Sequence, residues 1–254
     1  MPDEVLVERR DGVQIITINR PEVKNAVDGN TARQLMAAVD QLDADAELRV
    51  GVLTGAGGSF CAGMDLKAWL RGDKPVIPGR GFAGITMTPP RKPLIAAVEG
   101  YALAGGFELM LACDLAVVAE NSRFGVPEVK RSLVAGGGAA MLLPRRIPST
   151  VALEMLLTGD PIGAERAAAL GLVNRVTPVG GALDGALELA ATIAANGPLA
   201  VAATKEIASK QADWTVTEGW KIQAEIYGPV MASDDAREGA AAFAAKRPPV
   251  WRGR

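Results

Sequence analysis

Two glutamates stand in sequence contexts where a carboxylate could move protons. Glu108 follows a glycine pair in AGGFELMLA, so an apolar, helix-like run carries a carboxylate in its first turn, and Glu128 follows a proline in RFGVPEVK. A buried carboxylate is unfavourable unless it is paired or neutral, so Glu108 is predicted either to lie at a solvated helix start or to do chemistry. Neither glutamate is specific by itself, but two carboxylates beside glycine-rich segments are more suggestive together.

Each glutamate also has a purely structural interpretation. A glutamate in the first turn of a helix interacts favourably with the helix dipole, and Glu128 could be an ordinary exposed loop residue. The sequence contains no histidine, which favours the chemical interpretation. Its absence excludes histidine-dependent triads, HExxH zinc sites and facial-triad iron sites. Acid–base chemistry near neutral pH is therefore left to carboxylates, Lys, Tyr or Cys with shifted pKa values.

Glycine clusters interrupt the chain at three points: GAGGSFCAGMD (55–65), AGGFE (104–108) and AGGG (135–138). None fits the GxGxxG or the P-loop pattern, so a dinucleotide or nucleoside triphosphate ligand is poorly supported. Glycine also lets backbone N–H groups converge at a helix start, where they can bind an anion. The alternative is three tight strand-to-helix turns.

The composition narrows the class of protein. The 254 residues allow one large domain, or a domain with an appendage, and 27 basic against 29 acidic residues give a net charge of −2. No nucleic-acid or membrane partner is expected from that balance. Cys61 and Cys113 make neither a disulfide framework nor a metal motif, which favours a reducing, cytoplasmic location. No secretory signal or membrane-spanning apolar run is visible, so we expect a soluble protein.

The elements that must position these residues are readable from periodicity and turn signals. A hairpin is predicted for 4–8 and 13–19 around Asp11-Gly12, and a helix from Asn30 or Thr31 to about Leu48. Buried parallel strands are predicted at 50–55, 94–100 and 114–120, with a mobile loop over a site at 71–93. After Pro148 the pattern becomes helical, which favours an α/β body with a helical C-terminal extension. The predicted helices are 149–157, 163–170, 180–196, 198–210, 215–231 and 234–244, with a short strand at 173–177.

Several longer stretches together resemble one family, the crotonase superfamily or enoyl-CoA hydratase/isomerase family. They follow the family's order along nearly the whole chain, which is more specific than any single motif. The matching stretches are INRPEVKNA (18–26), LTGAGGSFCAGMDL (53–66), KPLIAAVEGYALAGGFELMLACDL (92–115), FGVPE (124–128), LTGDPIGAERAAALGLVNRV (157–176) and FAAKRPPVW (243–251).

The resemblance implies an α/β fold, a spiral of repeated β-β-α units with a helical C-terminal trimerisation region. Residues 1–196 would form the spiral core with the acyl-CoA site, and 197–254 the helical region for oligomerisation and closure over coenzyme A. The implied assembly is a homotrimer or a hexamer made of two trimers. No cofactor and no metal are implied, since coenzyme A is part of the substrate.

The resemblance also implies roles for individual residues. The amides of Met64 and Gly105 would stabilise a thioester enolate, a kind of contact whose loss raises the barrier by about 3–4 kcal/mol. In hydration, ionised Glu108 would deprotonate the water that attacks Cβ, and protonated Glu128 would deliver the α-proton. The Gly136 amide would help to hold that water. Coenzyme A would contact Lys24, Ala26 and Ala62, together with Phe243 and Lys246 of an adjacent subunit.

Departures from the family pattern leave alternatives open. Ala104 replaces a common third glycine, Ala135 replaces a proline, and GGAAMLL replaces a GGTQRL-type run. Trp69 and the 71–93 loop either shape the acyl pocket or only pack against neighbouring residues. Both glutamates are present, which favours a hydratase over an isomerase, a carnitinyl-CoA dehydratase-like enzyme or a non-catalytic acyl-CoA binding protein. An RNA-binding side activity is disfavoured by the charge balance, and acyl-chain length and type are not readable from the sequence.

Overall fold

The computed structural model describes residues 3–254, whose strands form one large sheet, one small sheet and a short hairpin. The large sheet has the order β1-β2-β3-β6-β8-β11, in which only the β1–β2 pair is antiparallel. The small sheet has the order β10-β9-β7, and β4 pairs with β5. The strands are β1 (Val5–Arg10), β2 (Val13–Ile18), β3 (Val50–Gly55), β4 (Val76–Ile77), β5 (Gly81–Phe82), β6 (Leu94–Val98), β7 (Tyr101–Leu103), β8 (Leu115–Ala119), β9 (Arg123–Gly125), β10 (Ile162–Gly163) and β11 (Arg175–Thr177).

The predicted hairpin and the predicted buried strands are confirmed. Strands β1 and β2 pair around Asp11 and Gly12, both of which have positive φ angles, as a tight turn requires. Every residue of β6 is buried, and so is nearly all of β3 and β8. Strands covered on both faces read as continuous apolar runs rather than alternating ones, which is why the sequence made them visible.

A spiral arises because the chain alternates between the two sheets. It leaves β6 of the large sheet for β7 of the small sheet and then enters a helix, and it repeats this course from β8 through β9. An earlier turn of the spiral leaves β3 and contributes a single bridge between Cys61 and Ala102, parallel to β7. The small sheet therefore collects segments from three successive turns, as the predicted β-β-α spiral requires.

Ten α-helices surround the sheets in the part of the chain that the structure describes. Helix α7 packs on β3, β6 and β8 of the large sheet, whereas α8 packs on α9 and α9 contacts α10. The helices are α1 (Gly29–Ala44), α2 (Leu66–Leu70), α3 (Gly105–Ala112), α4 (Ala139–Arg146), α5 (Ser149–Thr158), α6 (Ala164–Ala169), α7 (Ala182–Ala194), α8 (Pro198–Lys210), α9 (Val216–Met231) and α10 (Asp234–Ala244).

One helix prediction needs correction, and the short helices α2 and α4 were not predicted. Helix α1 begins one residue before Asn30, because Asp28 is its N-cap and accepts a 2.9 Å hydrogen bond from the Thr31 amide, and the helix ends at Ala44 rather than Leu48. Helix α4 was not predicted, because three glycines precede it and Pro144 lies inside it. The helices predicted after Pro148 are all present within a few residues of the predicted bounds.

The stretch 71–93, predicted as a loop, contains the β4–β5 hairpin and lies beside the small sheet's carboxyl end. Its predicted mobility stays a prediction.

No single helix among residues 3–254 has the length and apolar character needed to cross a membrane, and only the bent pair Ala182–Ala194 and Pro198–Asp213, at 109° to each other, meets the criteria when counted together. Within the same residues, no cluster of three or more potential metal-ligating Cys, Asp or Glu side chains occurs.

Candidate active site

Three segment ends meet at the carboxyl edge of the small sheet. Cys61 pairs with Ala102 of β7, and β7 pairs with β9, all in parallel. Met64, Gly105 and Glu128 each follow one of these neighbouring segments by a few residues. Because parallel strands end at the same edge of a sheet, the three predicted site segments converge there, where open α/β sheets commonly bind ligands.

Glu108 is the fourth residue of α3 and is 4% exposed. Its Oε1 accepts a 3.1 Å hydrogen bond from the amide of Ala139, the first residue of α4. Burial raises the pKa of Glu108 to about 7, and the nearby charge of Glu128 adds to the rise while the Ala139 amide opposes it. A group with this pKa can take up or release a proton near neutral pH, which is what general acid–base catalysis requires.

Glu128 lies in a short 3-10 helix, Pro127–Arg131, that follows β9. Its Oε2 is buried and has no hydrogen-bond partner among the described residues. Burial also raises the pKa of Glu128, although a backbone hydrogen bond and the charge of Arg131 oppose the rise. An unpartnered buried carboxyl oxygen is rare in folded proteins, and it marks a group available to a ligand or a proton.

The amides of Met64 and Gly105 are both available to a ligand. Neither donates a hydrogen bond to another residue in the range 3–254, whereas their neighbours Asp65 and Ala104 donate to Val27 and Gly125. The two segments are in contact, since a methyl group added at Gly63 would lie 3.0 Å from the Gly105 nitrogen. Gly105 is also the first residue of α3, where the helix dipole favours negative charge.

Ala104 supports this arrangement in a strained conformation. Its backbone has φ 51° and ψ −128°, a region that L-residues other than glycine rarely occupy. Its carbonyl accepts hydrogen bonds from the Phe107 and Glu108 amides, and its methyl group faces Gly63. The alanine that departs from the family's glycine pattern thus costs backbone strain at the start of α3.

A cavity of about 620 Å³ connects these groups. Most of the predicted site residues line it: Lys24, Ala62, Met64, Gly105, Glu108, Glu128 and Gly136. Trp69 lines it too, as do Val76, Gly81, Phe82 and Met87 of the 71–93 stretch. Ala26, Phe243 and Lys246 do not line it; Phe243, on α10, is 88% exposed.

Sequence reasoning missed several residues that build this site. Glycine at position 137 leaves room for the Glu108 carboxyl group, because a Cβ there would lie 2.3 Å from Glu108 Oε2. The Phe82 ring packs against Gly105, and the Lys24 ammonium lies 4.8 Å from the centre of the Tyr101 ring. The run Gly136-Gly137-Gly138 was a usable signal for the first of these, since it allows a backbone to approach another group closely.

Arg20, in the INRPEVKNA stretch, ties the Met64 segment to its surroundings. Its side chain is 13% exposed and lies 3.1 Å from an Asp28 oxygen, 3.2 Å from an Asp65 oxygen and 3.6 Å from a Glu4 oxygen. It also donates to the Ala26 carbonyl. Asp65 directly follows Met64 and caps α2, so this guanidinium anchors the segment that carries the Met64 amide.

Comparison with known proteins decides the family. A model of the family described as enoyl-CoA hydratase/isomerase matches residues 8–254. The chain belongs to that family. The resemblance and the prediction of an enzyme of this kind are thereby confirmed.

The relatives of this enoyl-CoA hydratase/isomerase family member fall into more than one named activity. Enoyl-CoA hydratase EchA19 from Mycobacterium tuberculosis is 45% identical over 262 residues, covering 99% of this chain and 97% of that protein. Carnitinyl-CoA dehydratase from Proteus mirabilis is 40% identical over 262 residues and covers 100% of both chains. The crystal structure of enoyl-CoA hydratase EchA1 from Mycobacterium marinum superimposes with a TM-score of 0.97 at 60% identity and 99% coverage of each chain.

Proposed function

We propose that the protein is an enoyl-CoA hydratase, which adds water reversibly across the 2,3 double bond of a 2-enoyl-CoA thioester. The observation that carries this proposal is that Glu108 and Glu128 line the same cavity as the unpaired amides of Met64 and Gly105. Hydration of a conjugated thioester needs all of these: a base for water, an acid for Cα, and donors for the enolate oxygen that forms between the two steps.

The proposed reaction uses a carboxylate pair that holds one proton. Ionised Glu108 takes a proton from water as the water oxygen bonds to Cβ, and the double-bond electrons move to the thioester oxygen. The Met64 and Gly105 amides hold the resulting enolate, and protonated Glu128 then gives its proton to Cα. The Gly136 amide, at the cavity wall, helps to orient the water. After this cycle Glu108 is protonated and Glu128 is ionised. Proton transfer between them, or exchange with solvent, restores the starting state.

Substrate binding completes the proposal. Lys24 and Ala62 line the cavity and are the proposed contacts for coenzyme A. The Ala62 amide donates a 3.0 Å hydrogen bond to the Lys24 carbonyl, so the segment that contains Ala26 lies beside Ala62. We propose that Phe243 and Lys246 act on the site of an adjacent subunit. Their position away from this chain's own cavity is compatible with that role.

The proposed assembly is a homotrimer or a pair of trimers built through residues 197–254. The supporting observation is the apolar surface of α9, where Val216, Trp220 and Met231 are 82%, 69% and 70% exposed. Large exposed apolar side chains on one helix mark an interaction surface.

A cytoplasmic location is proposed as well, since Cys61 and Cys113 are buried and not disulfide-bonded.

A second candidate is a carnitinyl-CoA dehydratase-like activity, which the relative from Proteus mirabilis favours. The deciding experiment is a panel of short, long and polycyclic 2-enoyl-CoA thioesters, followed by loss of the conjugated double bond and by the mass of the product. Water addition to one or more of them is the expected result. Flat traces with coenzyme A ligands still bound would instead indicate an acyl-CoA binding protein, and a rearranged alkene without water uptake would indicate an isomerase.

A further inference from the structure

Among residues 3–254, the charged side chains that line the cavity are two carboxylates and two cations. The carboxylates are Glu108 and Glu128, which the proposed reaction already uses, and the cations are Lys24 and Arg131. Arg131 ends the same 3-10 helix that carries Glu128, and it is near enough for its charge to lower the pKa of Glu128. Much of the remaining wall is apolar, with Leu66, Trp69, Val76, Met87, Leu133 and Val134 among its side chains.

A cationic acyl chain would find few favourable partners on this wall, because the proposed reaction leaves only one glutamate ionised and that carboxylate acts on water. Burial raises the pKa of both glutamates, which favours their neutral forms, and the pair must keep one proton for catalysis. Aromatic faces can bind a quaternary ammonium, but Lys24 already occupies one face of Tyr101 at 4.8 Å, and the 6% exposed Phe82 ring packs on Gly105. Trp69 and the other face of Tyr101 remain, on rings that are 40% and 42% exposed, and solvent-exposed rings are weak cation sites.

An uncharged chain meets none of these penalties. Apolar atoms gain free energy on leaving water for an apolar wall, whereas a cation loses hydration and is repelled by Arg131. Arg131 is exposed, so solvent can satisfy its guanidinium, and its presence does not by itself require an anionic substrate.

We propose that the cavity accepts uncharged, apolar 2-enoyl chains and discriminates against chains that carry a quaternary ammonium, with Arg131 as the residue that sets this preference. The inference rests on the proposed hydratase function and narrows its substrate class. It separates the chain from the activity of its carnitinyl-CoA dehydratase relatives, because a carnitinyl group carries a trimethylammonium cation.

The test uses two acyl-CoA thioesters of the same shape and different charge. One is 4-(trimethylammonio)but-2-enoyl-CoA and the other is 5,5-dimethylhex-2-enoyl-CoA, in which carbon replaces the charged nitrogen. We expect kcat/KM for hydration of the neutral compound to exceed that of the cationic one by at least about tenfold. Equal values, or a preference for the cation, would overturn the inference.

Variants identify the residue responsible. Arg131→Met is expected to lower the ratio of kcat/KM for the neutral compound to kcat/KM for the cationic compound by at least about threefold, and Arg131→Glu to lower it further. Lys130→Met is the matched control, since Lys130 stands next in the same short helix, pairs with Asp160 and does not line the cavity. The ratio should be unchanged in that control. A ratio that Arg131→Met leaves unchanged, or that both Met variants change equally, would remove Arg131 from the proposal.

Unsubstituted but-2-enoyl-CoA and the long-chain compounds of the panel are measured with the same preparations. Hydration of any of them, together with no charge discrimination, defeats this inference alone. Failure to hydrate every compound defeats the proposed function itself.

Discussion

The amide of Ala139 donates a 3.1 Å hydrogen bond to Glu108 Oε1, so the first residue of α4 holds the carboxylate that α3 carries. This contact explains how a carboxylate can remain in an otherwise apolar helix run. The Gly137 and Gly138 amides also act on Glu108 and favour its ionised form, against the larger effect of burial. The glycine cluster thus keeps Glu108 near the balance between its two protonation states.

The pH dependence of hydration follows from this balance. The carboxylate pair must hold one proton, and Glu108 has a pKa of about 7. As the pH falls through that value Glu108 takes up a proton and can no longer act as the base, so kcat/KM should fall on the acid side. Above the range in which the pair holds one proton, Glu128 loses its proton and kcat/KM should fall again.

Initial rates measured from about pH 5 to about pH 9 test this bell-shaped profile. The apparent pKa values will belong to the pair and not to either residue alone. A rate that stays constant as the pH falls from about 7 to about 5 would contradict the need for an ionised Glu108.

A methyl group at position 137 should displace the Glu108 carboxylate. The added Cβ would lie 2.3 Å from Oε2 and 2.8 Å from the carboxyl carbon, so Gly137→Ala must move the side chain. Since a shift of about 1 Å in a reacting group can lower a rate about 100-fold, we expect a loss of that order in kcat/KM with the fold retained. Gly197→Ala is the control, because its methyl group would meet only the Trp251 ring at 3.8 Å and its φ of −61° suits alanine. Equal activity of the two variants would show that Glu108 does not need its present position.

Ala104→Gly should make the protein more stable. Release of the strained backbone contributes about 1–3 kcal/mol, and the greater freedom of glycine in the unfolded chain opposes it by about 0.4–1 kcal/mol. We expect a net gain of about 1 kcal/mol in the free energy of unfolding, measured in urea. Ala102→Gly, at a buried position of β7 without a positive φ angle, should lose stability. A less stable Ala104→Gly variant would mean that the conformation at 104 carries no strain.

Arg20→Lys should lower kcat more than it affects the binding of coenzyme A. Lysine keeps the charge but cannot hold Asp28, Asp65 and the Ala26 carbonyl at once, so the segment that carries the Met64 amide loses its anchor. We expect kcat to fall about tenfold and KM to change little, because the affected contact strengthens only in the transition state. Arg9→Lys, at the exposed pair with Asp45, is the control. An unchanged kcat in Arg20→Lys would show that the ion cluster does not position this amide.

The parts of the fold that depend on local signals were predictable from the sequence. Asp11-Gly12 marks the hairpin, the continuous apolar runs mark the parallel strands, and Gly105-Gly106 marks the start of the helix that contains Glu108. The small sheet was not predicted, because its strands are only two or three residues long and gain their order from contacts between spiral turns. A segment of that length carries too little pattern to be recognised alone.

The candidate site was likewise predictable only in part from the sequence. Glu108 and Glu128 were recognised from their local sequence contexts, and the family resemblance added the amides of Met64 and Gly105; all four line one cavity. The support from Ala139 depends on α4, whose glycine-rich start and internal Pro144 hide its helical pattern. The cluster around Arg20 brings together residues from positions 4 to 65, a contact that no local pattern predicts.

The most direct test of the two-carboxylate site is the rate of hydration by Glu108→Gln, Glu128→Gln and the double variant, on the best thioester of the panel. Each single change should lower kcat by at least about 100-fold, and the double change should be little worse than the more damaging single one, because residues that act as a unit are not additive. Near-normal hydration by either single variant, or losses that simply multiply in the double variant, would contradict a joint role for the two glutamates.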